Sequence, residues 1–374
     1  MRVVEYRRRM LVAWLVMLGA GWGEFSACDR RPAIVGVTYP GQTPGVIDLV
    51  RQEVERWPGG TPAEIRTPSS DLGSHAEREM DGAAQLTALP GIVAVVGHED
   101  SRNTLLAIPI YDDARVPLVV PTSTSKTIAT VSPWVFPLAP NDSQEGAFIA
   151  QFAARGLGAR AIALLYDNDE YGRGLRDGLR AALAAVDLRI TAEASIGSVC
   201  EPGGDASLAL VAPRRHPPDV LVIAGRQLAA GCIVRRVSVW LPALRFITSD
   251  AVEIGDGVLA AMGAAADSTY FVAFWHAGIT DEGSTAFTSA YRRVVGIVPT
   301  PAAAMEYDAL MLLMQALRDV GPSRKAIQAY LTQLGKSRPA YHGVTGPIAF
   351  GSERHRPLYL LRVRKGATIA VPVP

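Results

Sequence analysis

Thirty-seven Lys and Arg against 36 Asp and Glu leave this 374-residue chain with a formal net charge of +1, and no basic run with interleaved aromatics follows the N-terminus, so nucleic acid is excluded as a general partner. A hydrophobic content of 49% with 20% charged residues rules out a disordered chain, and the length suffices for two domains, each with its own core. The 35 Gly and 26 Pro fall between periodic apolar segments, where they suit tight turns between strands and helices.

Arg7, Arg8 and Arg9 precede Met10–Trp22, a thirteen-residue apolar stretch that is short for a bilayer span and suits the core of an export signal. Phe25-Ser26-Ala27-Cys28 follows and resembles a bacterial lipobox, with Phe25 where Leu is usual. That resemblance implies a lipoprotein-type signal peptide over residues 1–27 and lipidation at Cys28; a plain secretory signal with an incidental Cys28 is the alternative. The chain is expected to be exported, periplasmic or at the cell surface, and anchored to the membrane through Cys28.

Ala33–Thr38 then reads as a first strand and Val46–Arg56 as a helix, with Val46, Leu49, Val50 and Val54 on one face. Trp57-Pro58-Gly59-Gly60 stops that helix. A weak strand near Ala63–Thr67 and a helix from Ser74 to Ala88 lead to two apolar runs, Ile92–Val96 and Val116–Val120, whose Val and Ile content suits buried strands of a parallel sheet. Pro133–Pro140 reads as an extended crossover too short to be an element of its own. A second series has strands at Ala161–Tyr166, Leu188–Ala194, Val220–Ala224 and Leu244–Thr248, with helices near 143–156, 171–185, 205–213 and 228–239. Thr269–Phe274 is a further apolar run, helices cover 284–334, and the tail from Val344 to Val371 is strand-like. The alternation predicts an α/β fold of two units of similar build.

Two turns carry most of the polar chemistry. The turn after Ile92–Val96 holds Asp100 and Ser101; the turn after Val116–Val120 holds Thr122, Ser123, Thr124 and Ser125. Both leave the carboxyl ends of neighbouring strands, where open α/β sheets bind ligands. Hydroxyls and backbone N–H groups at helix starts can cradle an anion such as a carboxylate, although either turn alone could be an ordinary helix cap. Gly172, Gly174 and Gly178 are spaced GxGxxxG, unlike a dinucleotide fingerprint, and Asp167, Asp169 and Glu170 would repel a pyrophosphate there. Tyr171 in the same turn is expected at the exposed mouth of a strand end, either covering a ligand or serving as a structural residue. Asp250 ends another strand and either caps a following helix or faces a cationic ligand group. His98, just past a strand, is the one histidine near a plausible strand-end base position and is read as capping or lining the turn. No GxSxG turn is present, and six His and three Cys show no metal-ligand spacing. The chain is therefore read as a non-enzyme, with no catalytic residue, metal or cofactor.

VVGHEDSRNTLLAIPIYDDARVPLVVPTSTS, FPLAPNDSQEGAFIAQF and ALLYDNDEYGRGL, all within residues 91–178, resemble successive stretches of the type I periplasmic binding proteins of branched-chain amino-acid ABC transporters. RFITSDAV and GVTGPIAF continue the likeness. It implies two Rossmann-like lobes with parallel-sheet cores joined by three crossover strands, 33–139 with 277–342 forming one lobe and 140–276 with 343–374 the other. It also implies that Ser101 and Thr124 hold a ligand's carboxylate and amine, with backbone contacts at Thr122 and Ser123, and that Tyr171 and Asp250 complete the site from the opposite lobe. The partners implied are a small-molecule ligand, an amino acid or related carboxylate, and an ABC permease in the membrane; a ligand sensor coupled to a signalling partner is the alternative. The loop Tyr39–Gly45 is shorter and richer in proline than is usual where that family shapes its side-chain pocket. With Cys28 lipidated, Cys200 and Cys232 remain as a pair in an oxidising compartment. Sequential strands often pair, which would bring both to one edge of the second lobe, where a disulfide is expected.

Overall fold

Strands buried on both faces alternate with helices to make two mainly parallel sheets. The computed structural model describes residues 32–38, 43–69, 74–197, 199–200, 208, 217–350, 356–364 and 367–373. Cys28, most of the helix expected at 205–213 and residues 39–42 of the first loop lie outside the described residues. Among the described residues the helices include α1 (Val46–Val54), α2 (His75–Ala88), α3 (Ser101–Ala114), α4 (Asp142–Gln151), α5 (Glu170–Ala185), α6 (Gln227–Trp240), α7 (Asp256–Met262), α8 (Glu282–Val295), α9 (Pro301–Val320) and α10 (Arg324–Gln333).

The first sheet contains β1 (Ile34–Val37), β2 (Glu64–Arg66), β3 (Ile92–Val96), β4 (Leu118–Val120) and β5 (Val135–Pro137), all parallel, in the order β2-β1-β3-β4-β5. Every residue of β1, β3 and β4 is buried, because helices cover both faces. Leu86 of α2 and Ile108 and Tyr111 of α3 pack on one face. Residues of α1, α8, α9 and α10, among them Val50, Phe287, Leu313 and Leu331, pack on the other. The segment Pro133–Pro140, expected to be only a crossover, contributes β5. An edge strand needs only one neighbour, and β4 supplies it, with Leu118 opposite Val135 and Val120 opposite Pro137. Proline is tolerated at such an edge.

The second sheet contains β6 (Ile162–Tyr166), β7 (Ile190–Ser195), β8 (Val220–Ala224), β9 (Arg245–Thr248) and β10 (Thr269–Ala273) as parallel strands. A small hairpin, β11 (Tyr341–Gly343) with β12 (Gly346–Ile348), precedes β13 (Tyr359–Arg364) and β14 (Ala367–Val371), which extend the second sheet in antiparallel fashion. Its order is β14-β13-β10-β9-β8-β6-β7. Edge strand β7 alternates half-buried and exposed residues, as one partly solvated strand should. Ile348 and Phe350 pack in the core of the first sheet, so the last passage of the chain to the second sheet follows Phe350 rather than residue 342. The hairpin is tied to α9 by Asp308, whose carboxylate accepts the Val344 and Thr345 N–H groups at 2.7 and 2.8 Å.

Cys200 and Cys232 are joined by a disulfide, their Cα atoms 6.1 Å apart. The route differs from the expected one. Strands β7 and β8 do not pair; each pairs with β6, from opposite sides. The bond instead joins the turn after β7 to the second turn of α6.

Helices α4 and α5 cross with almost no space between backbones. A Cβ on Gly146 would lie 2.4 Å from the Leu179 nitrogen, and one on Gly178 would lie 2.5 Å from the Asp142 carbonyl oxygen. Glycine is required for that approach, and Glu145 of α4 accepts the Asp250 N–H just after β9.

Candidate functional site

The carboxyl ends of β1, β3 and β4 in the first sheet face those of β6, β8, β9 and β10 in the second across a cavity of about 380 Å³, with the first turns of α9 closing one side. That is the crevice in which open α/β sheets carry ligands, and its volume suits a small molecule. Ser101, Thr122, Ser123, Thr124, Tyr171 and Asp250 all line it.

The first wall is built by a helix start and a turn. Asp100 caps α3 by accepting the Asn103 N–H at 2.8 Å, which places Ser101 in the first turn. Ser101 Oγ accepts the N–H groups of Thr124 and Ser125 at 3.3 and 3.2 Å. Thr122 Oγ1 donates to the Glu99 carbonyl at 2.8 Å, which fixes the turn after β4 against the turn after β3. The Ser123 hydroxyl is spent on the same purpose: it lies 2.7 Å from Thr104 Oγ1 and 3.2 Å from the His98 and Glu99 carbonyls. Thr124 Oγ1 is buried with no partner in hydrogen-bond geometry. The His98 ring is fully buried, held by Glu79 at Nδ1 and by Tyr111 Oη, 3.1 Å from Nε2, so it serves none of these hydroxyls as a base.

The second wall is a chain of hydrogen bonds between acids. Asp169 caps α5 through the Gly172 N–H at 2.9 Å and so sets Tyr171 at its start. Tyr171 is buried, not exposed as expected, because its ring joins a core with Leu175 and Ile247. Its hydroxyl donates to Asp250 Oδ1 at 2.7 Å. The Asp250 N–H donates to Glu145 Oε1 at 2.9 Å, and Glu145 Oε2 has no partner. The cap of the next described helix, α7, is Gly255, so Asp250 does not cap it.

Burial holds the Glu145 carboxyl well above its ordinary range, with the Asp250 charge adding to the effect. Burial also raises Asp250, but bonds from Glu145 and Tyr171 oppose that rise. Asp142, in the first turn of α4, is pushed up to about 7, mainly by burial and further by Asp250 and Glu170. Arg226 reaches Asp167 at 2.9 Å and Asp169 at 2.8 Å and lies 5.9 Å from the Tyr171 ring centroid.

Residues that the sequence did not single out also line the cavity: Thr43, Arg226, Glu253, Met305 and Glu306. Glu253 follows β9 and reaches across to α9, where its Oε1 accepts the Ala302 N–H at 3.0 Å. Glu306, in the second turn of α9, accepts the Thr43 hydroxyl at Oε2. An acidic residue in the apolar first half of a helix, a feature Glu306 shares with Asp308, is the available signal for Glu306; nothing in the local sequence marks Glu253. Among the described residues no cluster of His, Cys, Asp and Glu could hold a metal ion, and no helix is long and apolar enough to cross a membrane.

Residues 59–367 match a family described as "Periplasmic binding protein". A curated relative, the "Amino acid binding protein" of Pseudomonas aeruginosa, is 26% identical over 196 residues, 52% of this chain and 52% of the relative, so the chain spans about half the length of that relative. A leucine-binding protein from Thermotoga maritima shares the fold with a TM-score of 0.78 at 19% identity, over 91% of this chain and 97% of that one. A branched-chain amino-acid transporter substrate-binding protein from Streptococcus pneumoniae, solved with isoleucine, gives a TM-score of 0.77 at 20% identity, over 91% and 99%.

Proposed function

The chain belongs to the periplasmic binding protein family, and from that premise we propose that it captures an amino acid or related small carboxylate between two hinged lobes and delivers it to an ABC permease. Lobe one would comprise 33–139 with 277–350, and lobe two 140–276 with 356–374. Export with lipidation at Cys28 belongs to the same proposal.

One observation carries the reading: a wall of hydroxyls and helix-start N–H groups faces the Asp250 carboxyl across a single cavity. Ser101 and Thr124 would receive the ligand carboxylate, with backbone groups of the 122–124 turn beside them. Asp250, oriented by Tyr171 and by its N–H bond to Glu145, would receive the ammonium. The two walls come from different sheets, so only a closed arrangement serves both ends of a zwitterion. Ligand then favours closure by its differential affinity for that state. No bond need be made or broken.

A thermal-shift screen of the mature protein against amino acids identifies binders, since a ligand selective for the native state raises apparent stability. Calorimetric titration of variants tests the site. Charge-assisted hydrogen bonds are worth about 1.5–3 kcal/mol, so Asp250→Ala should weaken binding by about ten- to a hundredfold. Ser101→Ala should cost less, because backbone N–H groups remain. If Asp250→Ala binds as well as the parent protein, the ammonium role is wrong and the ligand is a carboxylate without an amine.

A further inference from the structure

The cavity contains more carboxyl groups than the backbone of an amino acid can use. Among the described residues its lining includes the carboxyls of Glu99, Asp100, Asp250, Glu253 and Glu306, against a single guanidinium, that of Arg226. Arg226 is itself held by Asp167 and Asp169. Asp100 and Glu253 are partnered by backbone N–H groups at 2.8 and 3.0 Å. Glu306 differs from both. It is 7% exposed, it lines the cavity, and its Oε1 has no hydrogen-bond partner. Its other oxygen takes one hydroxyl, that of Thr43. Burial raises this carboxyl to about 7, with Thr43 opposing. A buried acid left in that condition is a site short of a donor.

We propose that the ligand carries a second cationic group, the ammonium or guanidinium of a basic side chain, and that Glu306 receives it, so that the protein selects dibasic amino acids over aliphatic ones. This deepens the proposed function and rests on it, since Ser101, Thr124 and Asp250 must hold the amino-acid end. The apolar part of the lining, Val37, Val96, Phe274 and Met305, gives the methylene stem of such a side chain a surface to pack on. An aliphatic ligand would fill the same space and leave Glu306 Oε1 unpaired in a dry cavity. A neutral amide would satisfy that oxygen, but only a cation would also favour the ionised form of the surrounding carboxyls, which is why a cation fits better.

The test is calorimetric titration of the mature protein and of Glu306→Gln with L-lysine, L-arginine, L-glutamine and L-norleucine. Norleucine keeps the lysine stem without its ammonium. The parent protein should bind lysine or arginine about ten- to a hundredfold more tightly than norleucine. Glu306→Gln should remove most of that advantage while norleucine affinity stays within about threefold, which also shows that the variant folds with an intact amino-acid cradle. Norleucine or glutamine binding as tightly as the basic amino acids would overturn the proposal and leave amino-acid capture standing. Unchanged lysine affinity in Glu306→Gln would do the same. Failure of all four ligands would remove the amino-acid reading itself and this inference with it.

Discussion

Glu145 is fully buried, has one partnered oxygen and sits directly behind the carboxylate proposed to meet the ligand. A carboxyl kept neutral in that place is nearly isosteric with an amide, because either can accept the Asp250 N–H through a carbonyl oxygen. Glu145→Gln should therefore fold with close to parental stability and bind within about threefold of the parent. Glu145→Ala leaves a cavity and an unsatisfied N–H, and should lose about 2–4 kcal/mol in urea denaturation. Equal, large losses for both variants would mean that the group is ionised and that its charge holds the wall together. Which acids of this molecule are buried is only partly legible in its sequence. The strand-end position of Asp250 marks it as a cap or an inward-facing group, and the structure removes the cap. Glu306 and Asp308 lie two residues apart in one apolar helix, yet one borders the cavity and the other anchors a hairpin. Helical periodicity alone does not separate those roles, because each depends on which distant loop reaches the helix.

Among the elements, α4 and α5 show how little tolerance the second wall has. Gly178→Ala must push a methyl group against the Asp142 carbonyl, which is backbone and has no rotamer in which to give way. A loss of about 1–3 kcal/mol is expected from overpacking at this crossing, together with weaker ligand binding, because the crossing carries Asp142 and Glu145 under Asp250. Urea denaturation and titration of the same variant check both; loss of stability with unchanged affinity would detach the crossing from the site. Strongly patterned elements are the easily read ones. Strands β3 and β8, apolar throughout, and helices α1 and α5, each with a clear apolar face, follow from residue type and period. The elements that sequence misses have weak local preference: β5, three residues long and defined by pairing with β4, and α7, a short helix flanked by glycines. The cysteine pair follows from the compartment, but strand adjacency is the wrong route to it, since strand order places β6 between β7 and β8.

For the whole molecule, the buried acids make an unusual pH dependence. Asp142 and Glu306 are raised to about 7 from ordinary values of 3.8 and 4.5, burial being the first cause in each. Over that interval the native state holds protons that the unfolded chain has released, so stability rises as pH falls from about 8 towards 5. A tenfold difference in proton affinity between the two states corresponds to about 1.4 kcal/mol, so the thermal midpoint should be higher at pH 5.5 than at pH 8 by about 5 °C. At more acidic pH the trend reverses: Asp219 and Asp281, lowered by backbone N–H bonds, lose their contribution as pH falls through their depressed values. A midpoint that climbs steadily to pH 8 would show that these carboxyls are ionised at little cost. The bond from Glu253 to the Ala302 N–H has a consequence at the same scale. A carboxylate that follows a strand of the second sheet completes the N-terminus of a helix packed on the first, so one amide proton is sheltered only while the two halves are together. If the lobes part and meet as proposed, the Ala302 proton becomes an internal clock: its exchange with deuterated solvent should slow on ligand addition by the fraction of time the gap is shut, while Leu313 in the middle of the same helix keeps its rate. Equal slowing at both would mean that ligand tightens the helix as a whole and that the contact does not keep time for the hinge.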